Sequence, residues 1–153
     1  MSGQPVNRHA TAIIVDGTGL LFFGPSGCGK SALAFDCLAE AGLRGLSHAL
    51  IADDQVMVSK RNGAVIARRP EAIRGLLELR YSGIVTLDSI EEGQLHYAIA
   101  PVAADESQRL PSDDERLSLA PDISLPVIRV PFWSRFPLAL IFAQIVTKQA
   151  KHS

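Results

Sequence analysis

Short apolar runs separated by Gly, Asn and Asp dominate the chain. Thr11 to Val15 is β-branched, Asp16-Gly17-Thr18-Gly19 supplies turn residues, and Leu20 to Phe23 is apolar again. This pattern predicts a hairpin that feeds a strand into Gly24. From Ser31 to Ala41 the pattern predicts a helix, with Gly42 as its stop. That helix is apolar nearly all round. Its only charges, Asp36 and Glu40, are spaced i,i+4, which predicts one narrow stripe at water and the rest packed deep on a sheet. Ala49 to Ala52 reads as a strand ending in Asp53-Asp54. Val56 to Ser59 and Ala64 to Ala67 flank Arg61-Asn62-Gly63, a hairpin signal. Pro70 is placed to open a short helix with Glu71 in its first turn. Leu76 to Leu79 and Ile84 to Leu87 are apolar segments around Arg80-Tyr81-Ser82-Gly83, and Leu95 to Ala100 is a further strand. Residues 101–126, with Pro101, Pro111, Pro121 and Pro126, read mostly as loop. Val127 to Val130 predicts a last strand and Arg135 to about Gln149 a C-terminal helix, whose Leu138 to Val146 run reads as buried. Residues 1–8 are polar and expected to be flexible. Strands interleaved with two helices predict a single α/β domain over residues 9–150, built on a mixed β-sheet.

Composition narrows the function classes. A chain of 153 residues fits one domain with a core of its own. With 15 Lys+Arg against 16 Asp+Glu the formal net charge is −1, which weighs against nucleic acid as a partner. No apolar run approaches the roughly 18 residues that span a bilayer, so no membrane segment is expected. The N-terminus lacks the charged-then-apolar layout of a signal peptide. Cys28 and Cys37 form neither a disulfide framework nor a metal-ligand spacing. The expected compartment is a reducing cytoplasm.

One motif carries the chemistry. Gly24-Pro25-Ser26-Gly27-Cys28-Gly29-Lys30-Ser31 fits the Walker A pattern in full, with an apolar strand before it and a helix after it. Gly24, Gly27 and Gly29 let the backbone curl so that successive N–H groups face phosphate oxygens. The helix that begins near Lys30 adds the positive end of its dipole. Lys30 is placed to reach the β- and γ-phosphates of ATP, and the Ser31 hydroxyl to ligate Mg²⁺. Cys28 reads as a small residue that fits the loop. Asp53 and Asp54 end a strand where a Walker B acid belongs, at the carboxyl edge of the sheet. Neighbouring side chains of an extended strand face opposite ways, so the two acids are expected to have different jobs.

These residues, with His9 ahead of Gly17-Thr18-Gly19, the Leu50-Ile51-Ala52-Asp53-Asp54 run, Arg69-Pro70-Glu71-Ala72-Ile73 and Leu77-Glu78-Leu79-Arg80-Tyr81-Ser82-Gly83-Ile84, resemble the C-terminal catalytic domain of bacterial HPr kinase/phosphorylase. The resemblance covers residues 9–87 well. It implies a P-loop-containing α/β domain with a mixed β-sheet, similar to the HPr kinase and phosphoenolpyruvate carboxykinase core. It also implies ATP and Mg²⁺ as cofactors, and a serine of an HPr-type phosphocarrier of the sugar phosphotransferase system as phosphoryl acceptor. A homo-oligomer, a hexamer in the family, is implied as well. By the same resemblance Lys30 and Ser31 hold phosphate and metal, Asp53 is the base, Asp54 assists, Glu78 contributes to the metal site, Arg80 contacts phosphate or partner, and His9 lies near the catalytic acid.

The chain also departs from the family pattern. It begins almost at the catalytic core, without the separate N-terminal domain of the typical member. Ile14 stands where an acid is typical, and Leu87-Asp88-Ser89-Ile90-Glu91-Glu92-Gly93 is a short connection where the family has a Gly/Ala-rich flexible loop with a downstream arginine. That loop helps engage HPr and supports phosphorolysis, so the kinase direction is better supported than the phosphorylase one. Arg135 resembles an arginine preceding the family's last helix, but Phe136-Pro137 breaks that pattern. Two alternatives stay open: a small-molecule P-loop kinase, and an ATP-binding regulator without phosphotransfer. Charge is also segregated. Lys60, Arg61, Arg68, Arg69, Arg74 and Arg80 form a basic run, read as a rim that steers anionic substrates. Asp105, Glu106, Asp113, Asp114, Glu115 and Asp122 form an acidic one.

Overall fold

The computed structural model describes residues 4–25, 27–71, 74–103 and 114–151. Ser26, Ala72, Ile73, Asp105, Glu106, Pro111 and Asp113, all named above, lie outside the described residues.

Six strands form the central sheet. They are β2 (Thr11–Val15), β3 (Thr18–Phe22), β4 (His48–Ala52), β10 (Tyr97–Val102), β11 (Arg116–Ala120) and β12 (Ile123–Pro131), in the order β11-β12-β10-β3-β2-β4. β10 runs parallel to both β3 and β12, while β2 is antiparallel to β3 and to β4. β4 therefore points the same way as β3, and the carboxyl ends of β3, β4, β10 and β12 share one edge. The sheet is covered on both faces. Helices α1 (Lys30–Leu43) and α2 (Pro137–Lys151) pack on one face with Ile13, Val15, Leu20, Phe22, Ile99 and Ile128. A four-stranded antiparallel sheet covers the other, in the order β1 (Val6–Arg8), β5 (Val56–Arg61), β6 (Ala64–Arg68) and β9 (Glu92–Leu95). It buries Val56, Val58, Ala67 and Leu95 against Ala12, Leu21, Ile51 and Ala98. Double coverage explains why β2 and β3 read as continuous apolar runs rather than alternating ones. Between the layers Gly19 is required, because a Cβ there would lie 1.9 Å from the Gln94 carbonyl oxygen of β9. A separate hairpin pairs β7 (Leu76–Leu79) with β8 (Gly83–Thr86).

Several elements differ from the sequence expectation. Val6–Arg8, expected to be flexible, pairs with Val56–Val58 of β5. α1 runs past Gly42 to Leu43 and is stopped by Gly45, whose φ of +72° only glycine adopts freely. Its water-facing stripe is Ala32, Asp36, Ala39 and Leu43, while Glu40 is buried. The Pro-rich stretch 101–126 contains β11 and the first part of β12, which starts at Ile123 rather than Val127. Pro70 lies in irregular chain and Glu71 in a turn; the helix expected there extends into residues outside the described ones. α2 buries only Pro137, Leu138, Ile141 and Ile145, and leaves Val146 at water, so it is amphipathic rather than buried all round.

α2 begins on Pro137, where a missing N–H costs nothing. The next two N–H groups, of Leu138 and Ala139, donate to the two carboxylate oxygens of Glu40 at 2.9 Å each. A residue of one helix thus caps the start of the other, and its negative charge faces the positive end of the dipole. Burial, with Glu40 and Asp36 adding negative charge, pushes the Cys37 thiol up, so it remains an unreactive core group.

Candidate active site

The shared carboxyl edge of the sheet gathers the residues singled out by the sequence. β3 ends at Phe22, and the Phe23 N–H donates to Ile99 of β10 at 3.0 Å before the chain enters the loop at Gly24. Gly24, Gly27 and Gly29 have φ of +136°, +83° and +96°, conformations that glycine adopts freely, so the Walker A residues form a tightly curled loop in which the Cys28 N–H donates to the Pro25 carbonyl at 3.2 Å. Lys30 is buried, and its Nζ donates to the carbonyls of Gly24 and Pro25 at 3.0 and 3.2 Å. A buried ammonium that donates, among the described residues, to the loop's own carbonyls fits a seat for phosphate oxygens, which offer a stronger, charged partner. Cys28 packs its sulfur over Gly24, consistent with a loop-filling residue.

The structure separates the two adjacent aspartates. Asp53 is buried, and its Oδ1 accepts hydrogen bonds from the hydroxyls of Thr11 and Ser31, both at 2.7 Å. Its Oδ2 accepts the Glu78 backbone N–H at 3.0 Å. Asp53 thereby ties β2, the phosphate loop and β7 together. Asp54 follows with φ of +72°, which swings its side chain out of the strand's alternation. It is 64% exposed, and its Oδ1 lies 2.9 Å from His9 Nδ1. Backbone strain of this kind, about 1 kcal/mol or more for a non-glycine residue, is typical of functional turns.

A cleft of about 380 Å³ opens over these groups, lined by His9, Thr11, Lys30, Ser31, Asp54, Glu78 and Arg80 among others. Glu78 and Arg80 come from β7 and the turn after it. Leu77 is buried, which leaves Glu78 on the cleft side of the strand. Arg80 arches over the loop, so that a Cβ on Gly27 would come within 3.0 Å of its Nη1. Arg80 also lies 5.9 Å from the ring of Tyr81, a fully exposed side chain at the hairpin tip. Ser31 and Glu78 place hard oxygen atoms, the donor type that Mg²⁺ prefers, in the lining of the cleft. Among the described residues no three acidic, His or Cys side chains gather into a metal site of their own, so a cation here would depend on phosphate oxygens for much of its shell.

Thr11 was not singled out from the sequence. Its role follows from the antiparallel pairing of β2 with β4, which brings Thr11 beside Asp53 and which no local pattern signals. Of the basic run, Arg80 lines the cleft. Arg61 pairs with Glu92 at 2.8 Å, and Arg68 pairs with Glu91 at 2.7 Å and with Glu92 at 3.0 Å. Arg61, by hydrogen bond and charge, holds the Glu92 carboxyl below its ordinary range. Two of the six residues of the basic run are therefore balanced by Glu91 and Glu92. Of the acidic run, Glu115 is spent on Arg129 at 3.0 Å. Asp88–Ile90, in the short connection after β8, docks on β4: Leu50 N–H donates to Asp88 and Ile90 N–H to Leu50, both at 3.0 Å.

Known proteins resemble this chain in sequence and in fold. Residues 3–95 match the family described as HPr Serine kinase C-terminal domain. The HPr kinase/phosphorylase of Geobacter sulfurreducens is 33% identical over 136 residues, covering 80% of this chain and 40% of that protein. The HPr kinase/phosphorylase of Caldicellulosiruptor bescii is 37% identical over 86 residues, covering 56% of this chain and 26% of that protein. The chain thus spans 40% or less of the length of these curated relatives. The solved Hpr(Ser) kinase/phosphatase from Coxiella burnetii shares the fold, with a TM-score of 0.74 over 96% of this chain and 92% of that one at 22% identity. No described helix is long and apolar enough to cross a membrane. The family match spans more than half of the chain, and the chain belongs to the HPr serine kinase C-terminal domain family.

Proposed function

We propose that this chain is an ATP-dependent kinase that phosphorylates a serine of an HPr-type phosphocarrier. The observation that carries this is the exposed Asp54–His9 pair, which faces the same cleft as the phosphate loop. Phosphoryl transfer needs positioning and charge neutralisation more than covalent chemistry by the protein. Lys30 and the loop N–H groups hold the phosphates, and Arg80 balances charge from the opposite wall. Ser31 and Glu78 would hold Mg²⁺, which would supply charge neutralisation for the phosphates there. As the serine oxygen bonds to the γ-phosphorus, its proton passes to a carboxylate and the β–γ bridging oxygen leaves with ADP.

The resemblance gives the proton-accepting role to Asp53. The geometry favours Asp54. Both oxygens of Asp53 already accept protein donors, while Asp54 is open to an incoming hydroxyl, and His9 is placed to orient it. We therefore assign Asp53 to positioning Ser31 and Asp54 to the proton. The test is incubation of the purified chain with γ-labelled ATP, Mg²⁺ and an HPr-type carrier, with and without its target serine. Serine-dependent label supports the proposal. Tight ATP binding without transfer, or transfer independent of the serine, overturns it.

A further inference from the structure

The phosphate loop has two sides along the sheet edge. On the β2–β4 side lie His9, Asp54 and Glu78. On the β10–β12 side the chain leaves β12 at Pro131 and makes the turn Phe132-Trp133-Ser134 before α2. This turn is fixed in place. The Phe132 N–H donates to Val102 at the end of β10 at 3.0 Å, and the Ser134 N–H donates to Pro131 at 3.0 Å. The Phe132 and Trp133 rings meet edge to face, with centroids 5.4 Å apart. Both remain about half exposed, at 53% and 54%, and Phe136 is 65% exposed. Three large aromatic side chains within five residues, held open on a rigid turn, make an apolar surface that a folded chain normally covers. The turn adjoins the phosphate loop, since a Cβ on Gly29 would lie 3.9 Å from the Phe132 Cβ.

We infer that the Phe132–Trp133 turn is the platform on which the nucleotide's base stacks. This rests on the reading of the phosphate loop as a nucleotide site. A nucleotide whose γ-phosphate lies toward Asp54 must extend its ribose and base away from that side, and the β12 edge is where the loop hands over to aromatic surface. Stacking on an aromatic face accepts any base and needs no hydrogen-bond code, so the platform supplies affinity rather than strict base selection.

Trp133 is the single tryptophan of the chain, so its emission reports the platform directly. The probes are ATP, ADP and inorganic tripolyphosphate, each with Mg²⁺, followed by tryptophan fluorescence and by calorimetry. ATP and ADP are expected to change Trp133 emission, and tripolyphosphate to bind without doing so. Phe132→Ala is expected to weaken ATP at least about fivefold relative to tripolyphosphate. If tripolyphosphate changes the emission as much as ATP, the signal comes through the loop and the platform is overturned. If Phe132→Ala leaves the ATP-to-tripolyphosphate ratio as in the parent, the platform falls while the phosphate site stands. If none of the three probes binds the parent chain, the nucleotide reading fails and the platform with it. The fluorescence of the unmutated protein keeps the test valid if the variant folds poorly.

Discussion

Asp53 and Asp54 are adjacent and chemically identical, yet their surroundings demand opposite responses to the same change. Asn at position 53 keeps one acceptor oxygen and adds an NH₂ that faces hydroxyl or N–H donors. Asp53→Asn should therefore cost about 1–3 kcal/mol of folding stability as well as phosphotransfer. Asn at position 54 tolerates the left-handed φ at least as well as Asp, so Asp54→Asn should keep its stability within about 0.5 kcal/mol while transfer is lost. Urea denaturation and the labelled-ATP assay on both variants check this. A severe loss of stability at position 54, or full turnover there, would reverse the assignment. His96 gives a second residue-scale effect. Burial lowers its pKa from the usual 6.5, and its Nδ1 accepts the Gly19 N–H at 3.0 Å, a role only the neutral ring can fill. The unfolded chain binds more protons at this site in the window just below 6.5. The stability from His96 is thus fully present above that value and lost as pH falls through the folded pKa. Comparing urea midpoints at pH 7.5 and about 5.5, the loss should be smaller in His96→Asn, whose carboxamide oxygen accepts the same N–H and does not titrate. Equal losses would remove His96 as the source. The Walker A residues were legible because their chemistry is local. Thr11 and His96 were not, because each acts on a partner 42 or 77 positions away.

The two helices are coupled by a single carboxylate. Glu40 on α1 accepts the Leu138 and Ala139 N–H groups, and removing it leaves two donors of α2 without their partner, one of them buried. Glu40→Ala should cost about 2–3 kcal/mol. Glu40→Gln, which keeps one acceptor oxygen but loses the charge at the dipole's positive end, should cost less. Denaturant midpoints of the two variants test this, and a cost below about 0.5 kcal/mol for Glu40→Ala would show that water caps α2 equally well. Here the sequence misled for a definite reason. An i,i+4 acidic pair on an apolar helix reads as its wet stripe, and only the arrival of α2 turns Glu40 inward while Asp36 stays outside. β11 was likewise hidden, since its Pro-flanked residues pair with β12 through contacts that composition does not signal. The β2–β3 and β5–β6 hairpins were legible because Asp16-Gly17 and Asn62-Gly63 take the positive φ values that two-residue turns require.

At the scale of the whole molecule, the cleft draws on nearly every layer. β2 brings Thr11, the loop after β3 brings Lys30, the turn after β4 brings Asp54, and β7 brings Glu78. The central sheet serves both cores, so neither covering layer keeps its buried face if the sheet opens. A ligand that bridges these elements should accordingly stabilise the molecule as one unit rather than a single loop. Binding to the folded state alone adds about 2.7 kcal/mol at a hundredfold excess over Kd. For a chain of 153 residues, at about 2–4 °C per kcal/mol, Mg²⁺ with ATP should raise the melting temperature by about 5–11 °C. The shift should appear equally in Trp133 emission, which reads the sheet edge, and in far-ultraviolet circular dichroism, which reads all layers. Lys30→Ala should abolish it in both. A shift confined to Trp133, with the circular dichroism transition unmoved, would mean that the edge opens apart from the rest, contrary to a sheet shared by two cores.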